Sequence, residues 1–374
     1  MNRYFDYAAT SPVDPEALEA YVHASTYYYG NAGSLHDAGT KASSLLEHCR
    51  NRLADLLQAE SRGIAFTSGG TESNELGLSA LMSAGEGNHL IICGGEHSSI
   101  HNIAERMKNR GVRVTKTPLL PNGQVDLDHL EKDLCNDTAV VSLQHVNGEI
   151  GSIQPVEEAV RMAGKYGALI HCDCVQSFGK ISLAGLGSTV DSLAVSSHKV
   201  YGPKGVGAVY IRPELSFQPL TPNVTHENGV RPGTVDVPGV AAFVTAAEKA
   251  VTHLDTRAVY TQQLKAVFFE QLTAQGWQLV GDTRHQSVPI AGLMLQGWEG
   301  QWMMQEGSRK GYFFSTGTAC RVNSEKPSYT LSAMGIGKEA AKSFIRISFS
   351  HEHSETDVLD LAHHFNPYLQ QRVD

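Results

Sequence analysis

The run Ser192-Leu193-Ala194-Val195-Ser196-Ser197-His198-Lys199-Val200-Tyr201-Gly202-Pro203-Lys204-Gly205 passes from an apolar, strand-like stretch into hydroxyl, imidazole and amine groups, then into a Gly-Pro turn. A strand that ends in Ser and His and presents a Lys before such a turn suits an amine that binds a carbonyl, and Lys199 is the candidate. A lysine forms a Schiff base only as the neutral amine, and desolvation beside other positive charge lowers its pKa towards that state. His198 and Lys204 are expected to supply the charge. Read alone, the same letters also describe a solvated loop lysine followed by a glycine turn, so the rest of the chain decides.

On either side of this stretch, short apolar runs alternate with helical periodicity. Strands are expected at 63–67, 89–93, 112–115, 139–143, 168–171, 192–195 and 207–211, and helices at 37–57, 99–108, 127–134 and 156–165. This βαβ rhythm predicts an α/β fold with a mostly parallel sheet covered by helices, and a ligand at the carboxyl ends of the strands. After Pro238 a helical run over 240–272, broken near Asp255, leads to strands at 277–280, 287–295 and 344–349, with helices near 300–311, 329–334 and 355–365. Residues 15–255 are therefore read as a large domain. Residues 1–14 join 256–374 in a smaller α+β domain.

Composition narrows the function classes. The 374 residues are 41% hydrophobic and 18% charged, enough apolar material for two cores. The net charge is -9 and Lys and Arg are scattered, which argues against nucleic acid. The N-terminus lacks a cationic region followed by an apolar one, and no apolar run approaches the roughly 20 residues that span a bilayer. No membrane association is expected, and the cytoplasm is the default location. Six cysteines in a chain of this length are read as reduced thiols.

Several strand ends carry distinctive groups. Ser68-Gly69-Gly70-Thr71-Glu72-Ser73-Asn74 turns from a strand into a helix, where free N–H groups and the helix dipole favour one phosphate; the Gly-Lys-Ser/Thr ending of a nucleotide loop is missing. His97, after Glu96, is either a core or capping histidine or a ring that stacks on a planar cofactor. Asp173, in His171-Cys172-Asp173-Cys174-Val175-Gln176, is either a structural acid or the partner of a cation, since a buried carboxylate is costly unpaired. A pyridinium nitrogen would serve, and Gln176 and Asn147 are placed to donate to a ring oxygen. Cys172 and Cys174 are not read as zinc ligands, because no second thiol pair stands at finger spacing, and no metal is expected. His145 and His171 are read as structural.

Phe5-Asp6-Tyr7-Ala8-Ala9-Thr10, the segment 66–74, Glu96-His97, Asn147-Gly148-Glu149-Ile150-Gly151, Asp173-Cys174-Val175-Gln176-Ser177, the segment 196–205, Arg231-Pro232-Gly233-Thr234 and Ser315-Thr316-Gly317-Thr318-Ala319-Cys320 occur in one order along the chain. Together they resemble the cysteine desulfurases, in the class V branch of the fold type I pyridoxal-phosphate (PLP) enzymes. The loop at 321–326 resembles the longer, mobile-loop type of the family. The resemblance implies that Lys199 holds PLP covalently, Asp173 pairs the pyridine nitrogen, Gln176 and Asn147 lie near the ring hydroxyl, and His97 stacks on the ring. Gly70, Thr71, Ser196 and His198 would hold the phosphate, with Thr234 reaching in from the other subunit of a homodimer. Cys320 would accept sulfur as a persulfide, Arg346 with Asn147 would bind the carboxylate of L-cysteine, and Lys199 or His97 would move protons. The sulfur would pass to an acceptor protein in iron–sulfur cluster assembly or thiolation.

The chain departs from the family at Asn223-Val224-Thr225-His226-Glu227-Asn228, at Cys174 and at Ser350-His351-Glu352-His353. β-Branched residues at 224 and 225 restrict the backbone near the contact expected of Thr234. Alternative readings are a selenocysteine lyase or an aminotransferase of the same fold, for which Cys320 would be dispensable, and a non-catalytic scaffold, against which Lys199 argues.

Overall fold

The computed structural model describes residues 1–183, 185–219, 221, 226–272, 276–282, 284, 286, 288–317 and 327–366. Strands β1 (Ile64–Thr67), β2 (His89–Cys93), β3 (Arg113–Thr117), β4 (Thr138–Gln144), β5 (Leu169–Asp173), β6 (Ser192–Ser196) and β7 (Gly207–Ile211) form one sheet in the order β1-β7-β6-β5-β4-β2-β3. β7 is antiparallel to both of its neighbours, and the pairs from β6 across to β3 are parallel. The inner strands are buried, apart from half-buried Leu169 at the start of β5, which is why they read as continuous apolar runs rather than alternating ones. The edge strand β3 carries Arg113 and Lys116 on exposed positions, charges that discourage edge-to-edge pairing.

Register brings the polar strand ends level. Gln144 of β4 pairs with Asp173 of β5, Asp173 pairs with Ala194 of β6, and Ser196 pairs with Gly207. The helix Gly70–Ala84 starts at this end and packs closely on the sheet further along at Gly77, where a Cβ would come 2.5 Å from Ser192 Oγ and 2.8 Å from the His171 ring.

β8 (Trp277–Leu279), β9 (Ile290–Leu295) and β10 (Phe344–Ser348) form a second, antiparallel sheet in the order β10-β9-β8. Leu293, Ile345 and Ile347 pack with Leu264 and Phe268 of the helix Leu254–Gln271 and Val358 and Leu361 of the helix Glu355–Phe365. Phe5 belongs to the same core and stacks on His353, ring centroids 4.3 Å apart. The N-terminal segment is not a full strand: it makes two isolated bridges, Tyr4 to Phe313 and Asp6 to Ser348. It then crosses to the first sheet, where Ser11 N donates to His198 O (3.0 Å) and Asp14 N to Tyr201 O (2.8 Å). The helical run expected over 240–272 is two helices, Val237–Thr252 and Leu254–Gln271, which meet at His253 rather than at Asp255.

Glu227 and residues 350–353, within the stretches that depart from the family, have structural uses. Arg50, on the buried side of the helix Asp37–Leu57, forks onto Glu227 (Nη1 to Oε2 2.9 Å, Nη2 to Oε1 2.8 Å), and Phe66 N of β1 donates to the same carboxylate. Positions 222–225 lie outside the described residues. Ser350 and His353 are buried, with His353 Nε2 meeting Tyr4 O (2.9 Å), while exposed Glu352 accepts from Tyr7 OH (2.8 Å). Among the described residues no helix is long and apolar enough to cross a membrane, and Cys49, Cys93, Cys135, Cys172 and Cys174 are free thiols.

Candidate active site

A cavity of about 380 Å³ opens at the level carboxyl ends of β4, β5 and β6. Gly70, Thr71, His97, Asn147, Asp173, Gln176, Ser196, His198, Lys199 and Arg346, all expected site residues, line it. Thr234 is exposed and not among its lining residues. Cys320 lies outside the described residues.

One end of the cavity is built for an oxyanion. The helix Gly70–Ala84 begins after Gly69, whose φ of 141° suits glycine and which provides no side-chain cap, so the first-turn N–H groups face the opening. Ser196 is 2% exposed and its Oγ has no partner among the described residues, and a Cβ on Gly69 would stand 3.7 Å from it. A buried hydroxyl without a partner beside uncapped N–H groups fits a phosphate. Glu72, on the same rim, is paired with Arg231 (2.9 Å).

Asp173 is 6% exposed and its carboxylate is served by neutral donors, Asn74 Nδ2 (2.8 Å) and Val175 N (2.9 Å). No cation pairs with it among the described residues, so the charge it offers is left for a group in the cavity, as a pyridinium would require. Asn74 is held in turn, because His171 Nε2 meets Asn74 Oδ1 at 3.1 Å, which turns the amide nitrogen to Asp173. Burial drives the His171 pKa down to about 3, so the ring is neutral and structural, as read. Glu96 lines the cavity too, and burial first and the Asp173 charge second raise its pKa well above the usual value. Cys172 and Cys174 share the face opposite Asp173, their sulfurs 3.6 Å apart.

His97 caps the helix Ser98–Lys108: its Nδ1 accepts from Ser99 N (3.2 Å) and lies 2.9 Å from Ser99 Oγ. Ser99 Oγ itself accepts from Asn74 Nδ2 (3.0 Å), so its proton goes to Nδ1, and the ring proton of His97 stands on Nε2. Burial chiefly, and Lys199 to a smaller extent, lower the His97 pKa against the pull of Asp173. Asn147 is committed to the protein, with Nδ2 donating to Gly95 O (3.1 Å) and Thr330 Oγ1 (3.0 Å) and Oδ1 accepting from Glu149 N and Ile150 N.

Lys199 Nζ donates to Ala8 O (2.6 Å) and Ala9 O (2.7 Å) of the N-terminal segment. The source of positive charge beside it differs from the expectation. Burial, followed by Lys199, Lys180 and Lys204, lowers the His198 pKa to about 4, so His198 is neutral at neutral pH, and Lys204 is exposed. The nearby cation is Lys180. Burial, then the charges of Lys199 and Arg346, lower its own pKa to about 7. Sequence reasoning missed Lys180; the signal available was its place four residues after Gln176, whose Oε1 accepts from it at 2.7 Å.

Arg346 projects from β10 into the cavity. Nη1 donates to Gly148 O (3.0 Å), Nη2 to Asp6 Oδ1 (2.8 Å), and buried Nε has no partner among the described residues. Ser315 Oγ donates to the other Asp6 oxygen (2.8 Å). Asp6, quoted in the sequence motif without a role, orients the guanidinium.

The cavity thus offers an amine, a carboxylate that lacks a cation, an oxyanion cradle and an arginine fork, the donor set that pyridoxal phosphate and an amino acid require. Residues 3–361 match the family described as Aminotransferase class-V. The NifS protein of Bacillus subtilis (strain 168) is 40% identical over 375 residues, covering 99% of this chain and 95% of that protein. A cysteine desulfurase of Trichormus azollae is 34% identical over 358 residues, covering 95% of this chain and 90% of its own. Among solved structures, a NifS-like protein has a TM-score of 0.91 at 30% identity, covering 99% of this chain and all 100% of its own. SspA in complex with cysteine has a TM-score of 0.80 at 28% identity, covering 93% and 99%. The chain belongs to the class-V aminotransferase family and, within it, to the pyridoxal-phosphate-dependent cysteine desulfurases.

Proposed function

We propose that this desulfurase converts L-cysteine to L-alanine and carries the sulfur away as a persulfide on Cys320. The observation that supports the reading is the single cavity in which Lys199, cation-less Asp173 and the Arg346 fork face the same space. Pyridoxal phosphate, when bound, supplies an electron sink for bonds broken at the substrate's α and β carbons. Lys199 would hold the cofactor aldehyde and, as a free amine, would move protons at those carbons, with the Ala8 and Ala9 carbonyls as its resting partners. Asp173 would pair with the ring nitrogen, Gln176 would donate to the ring hydroxyl, and His97 would stack on the ring. The first turn at Gly70 and Thr71, with Ser196 and His198, takes the phosphate, and Arg346 takes the substrate carboxylate. The Cys320 thiolate attacks the substrate sulfur: the carbon–sulfur bond breaks, its electron pair stays with the carbon side and is protonated, and a sulfur–sulfur bond forms.

The persulfide is then passed to an acceptor protein of iron–sulfur cluster assembly or thiolation, with the cytoplasm as the proposed compartment. A homodimer is supported by the exposed aromatic and apolar side chains near the N-terminus, where Tyr27 is 65%, Tyr29 75% and Leu35 99% exposed. Exposed Thr234 would then serve the partner's phosphate. We assign 15–255 to the cofactor-binding unit and 1–14 with 256–374 to the unit that carries Cys320. The test is mass analysis of the Cys320 peptide after incubation with L-cysteine: the peptide gains one sulfur, and Cys320→Ser loses persulfide formation and most alanine release. Undiminished sulfide production by Cys320→Ser would sink the proposal.

A further inference from the structure

We propose that Lys180 is a positioning residue of this site, holding the Gln176 carboxamide with its oxygen turned inward and its N–H group presented to the cavity. The inference rests on reading that cavity as the pyridoxal-phosphate site.

Lys180 follows Gln176 by one helical turn's spacing and its Nζ lies 2.7 Å from Gln176 Oε1. Below its pKa of about 7 Lys180 is an ammonium with donors only, and in that state it is met only by the oxygen end of an amide. The nitrogen end is thereby turned the other way, where Nε2 donates to Ala8 O at 2.8 Å. That same carbonyl accepts from Lys199 Nζ at 2.6 Å. Lys180, Gln176, Ala8 and Lys199 therefore form one chain of hydrogen bonds. A flipped amide would set N–H against ammonium and oxygen against carbonyl, two repulsive contacts in place of two favourable ones. With one Gln176 N–H used by Ala8, the second is available to the cavity that Gln176 lines.

The surroundings argue against a purely structural use. Lys180 and Lys199 both line a second, small cavity of about 50 Å³, whose other titratable lining groups are Tyr7, Tyr201, Arg257 and His351, with no carboxylate. Arg346 and neutral His198 lie within electrostatic reach. A lysine enclosed among cations, bonded to a neutral amide, is a poor device for stability. It is a suitable one for orienting an amide and for opposing protonation at the Lys199 nitrogen.

The experiment compares wild type, Lys180→Met, Lys180→Arg, Gln176→Ala and the double variant Lys180→Met with Gln176→Ala, each loaded with pyridoxal phosphate. Removing a nearby positive charge favours protonation, so in Lys180→Met the pH midpoint of the cofactor's visible absorption band rises by about half a unit or more. kcat/KM for L-cysteine falls about tenfold. Lys180→Arg keeps a donors-only cation and restores most of both. On the Gln176→Ala background, Lys180→Met causes little further loss of kcat/KM, because its action passes through the amide. If Lys180→Met does not fold, Lys180→Gln takes its place. An unmoved midpoint with kcat/KM within about twofold of wild type, or fully additive losses in the double variant, overturns the inference while the cofactor reading stands. A wild-type protein that shows no visible band with the cofactor overturns the cofactor reading and this inference with it.

Discussion

Ser196 ends its strand with a hydroxyl that is buried and has no partner among the described residues. Leaving a polar group unpaired is costly, and the cost is relieved when an anion takes the hydrogen bond. Ser196→Ala is therefore expected to weaken pyridoxal-phosphate binding by about ten- to a hundredfold, the range of one hydrogen bond to a charged group, and to leave the melting temperature of the cofactor-free protein unchanged or raised. Titration of cofactor fluorescence and thermal melts without cofactor check the two halves, and equal affinities would contradict the phosphate assignment. His97 shows a limit of residue-level reading. The sequence leaves a cap and a stacking ring open as alternatives, and the geometry makes them compatible, since Nδ1 caps a helix while the ring lines the cavity. The cap also pins the proton on Nε2, which favours Lys199 over His97 as the group that moves protons.

At the scale of elements, β1 and the helix Asp37–Leu57 meet at the buried fork of Arg50 on Glu227, whose side chains are 8% and 2% exposed. Removing one partner of a buried pair leaves a charge without compensation, so Glu227→Ala should cost about 3–5 kcal/mol of unfolding free energy. Arg50→Met combined with Glu227→Leu should recover most of it, because apolar groups of similar volume avoid the desolvation penalty. Urea unfolding of the single and double variants decides; a double variant as unstable as Glu227→Ala would show that the pair is needed for more than mutual neutralisation. The 223–228 stretch departs from family pattern yet supplies this anchor next to the phosphate turn. Its role was not legible because the partner, Arg50, lies 177 positions away.

Across the whole molecule, burial places histidines in a neutral state. His89, His97, His171, His198, His351, His353 and His364 all have pKa values lowered chiefly by burial, to about 3 for His171 and about 4 for His198, His351, His353 and His364. Below about pH 6.5, the ordinary value, the unfolded chain binds protons that the folded chain refuses. Stability is therefore full above that pH, declines as pH falls towards 4, and levels off once the folded-state histidines are themselves protonated. Each such group adds a slope of up to about 1.4 kcal/mol per pH unit within its window. Urea unfolding of the cofactor-free protein between pH 7 and pH 4.5 should show a steep fall, and a flat profile would mean that these rings are hydrated.

The sequence alone showed the alternation of strands and helices, the polar groups at the strand ends and Lys199, Asp173 and Ser196 as candidate site groups, all three of which line one cavity. These are local properties, set by periodicity, by turn chemistry and by motifs a few residues long. Only the tertiary structure decided which groups complete them. Asp6 meets Arg346 across 340 positions, the Ala8 and Ala9 carbonyls receive Lys199 across 191 and 190 positions, and Lys180 rather than His198 stands as the nearby charge. Such pairings depend on how two sheets and the N-terminal segment close on one another, and desolvation, which sets the charge of each group, exists only once they have closed.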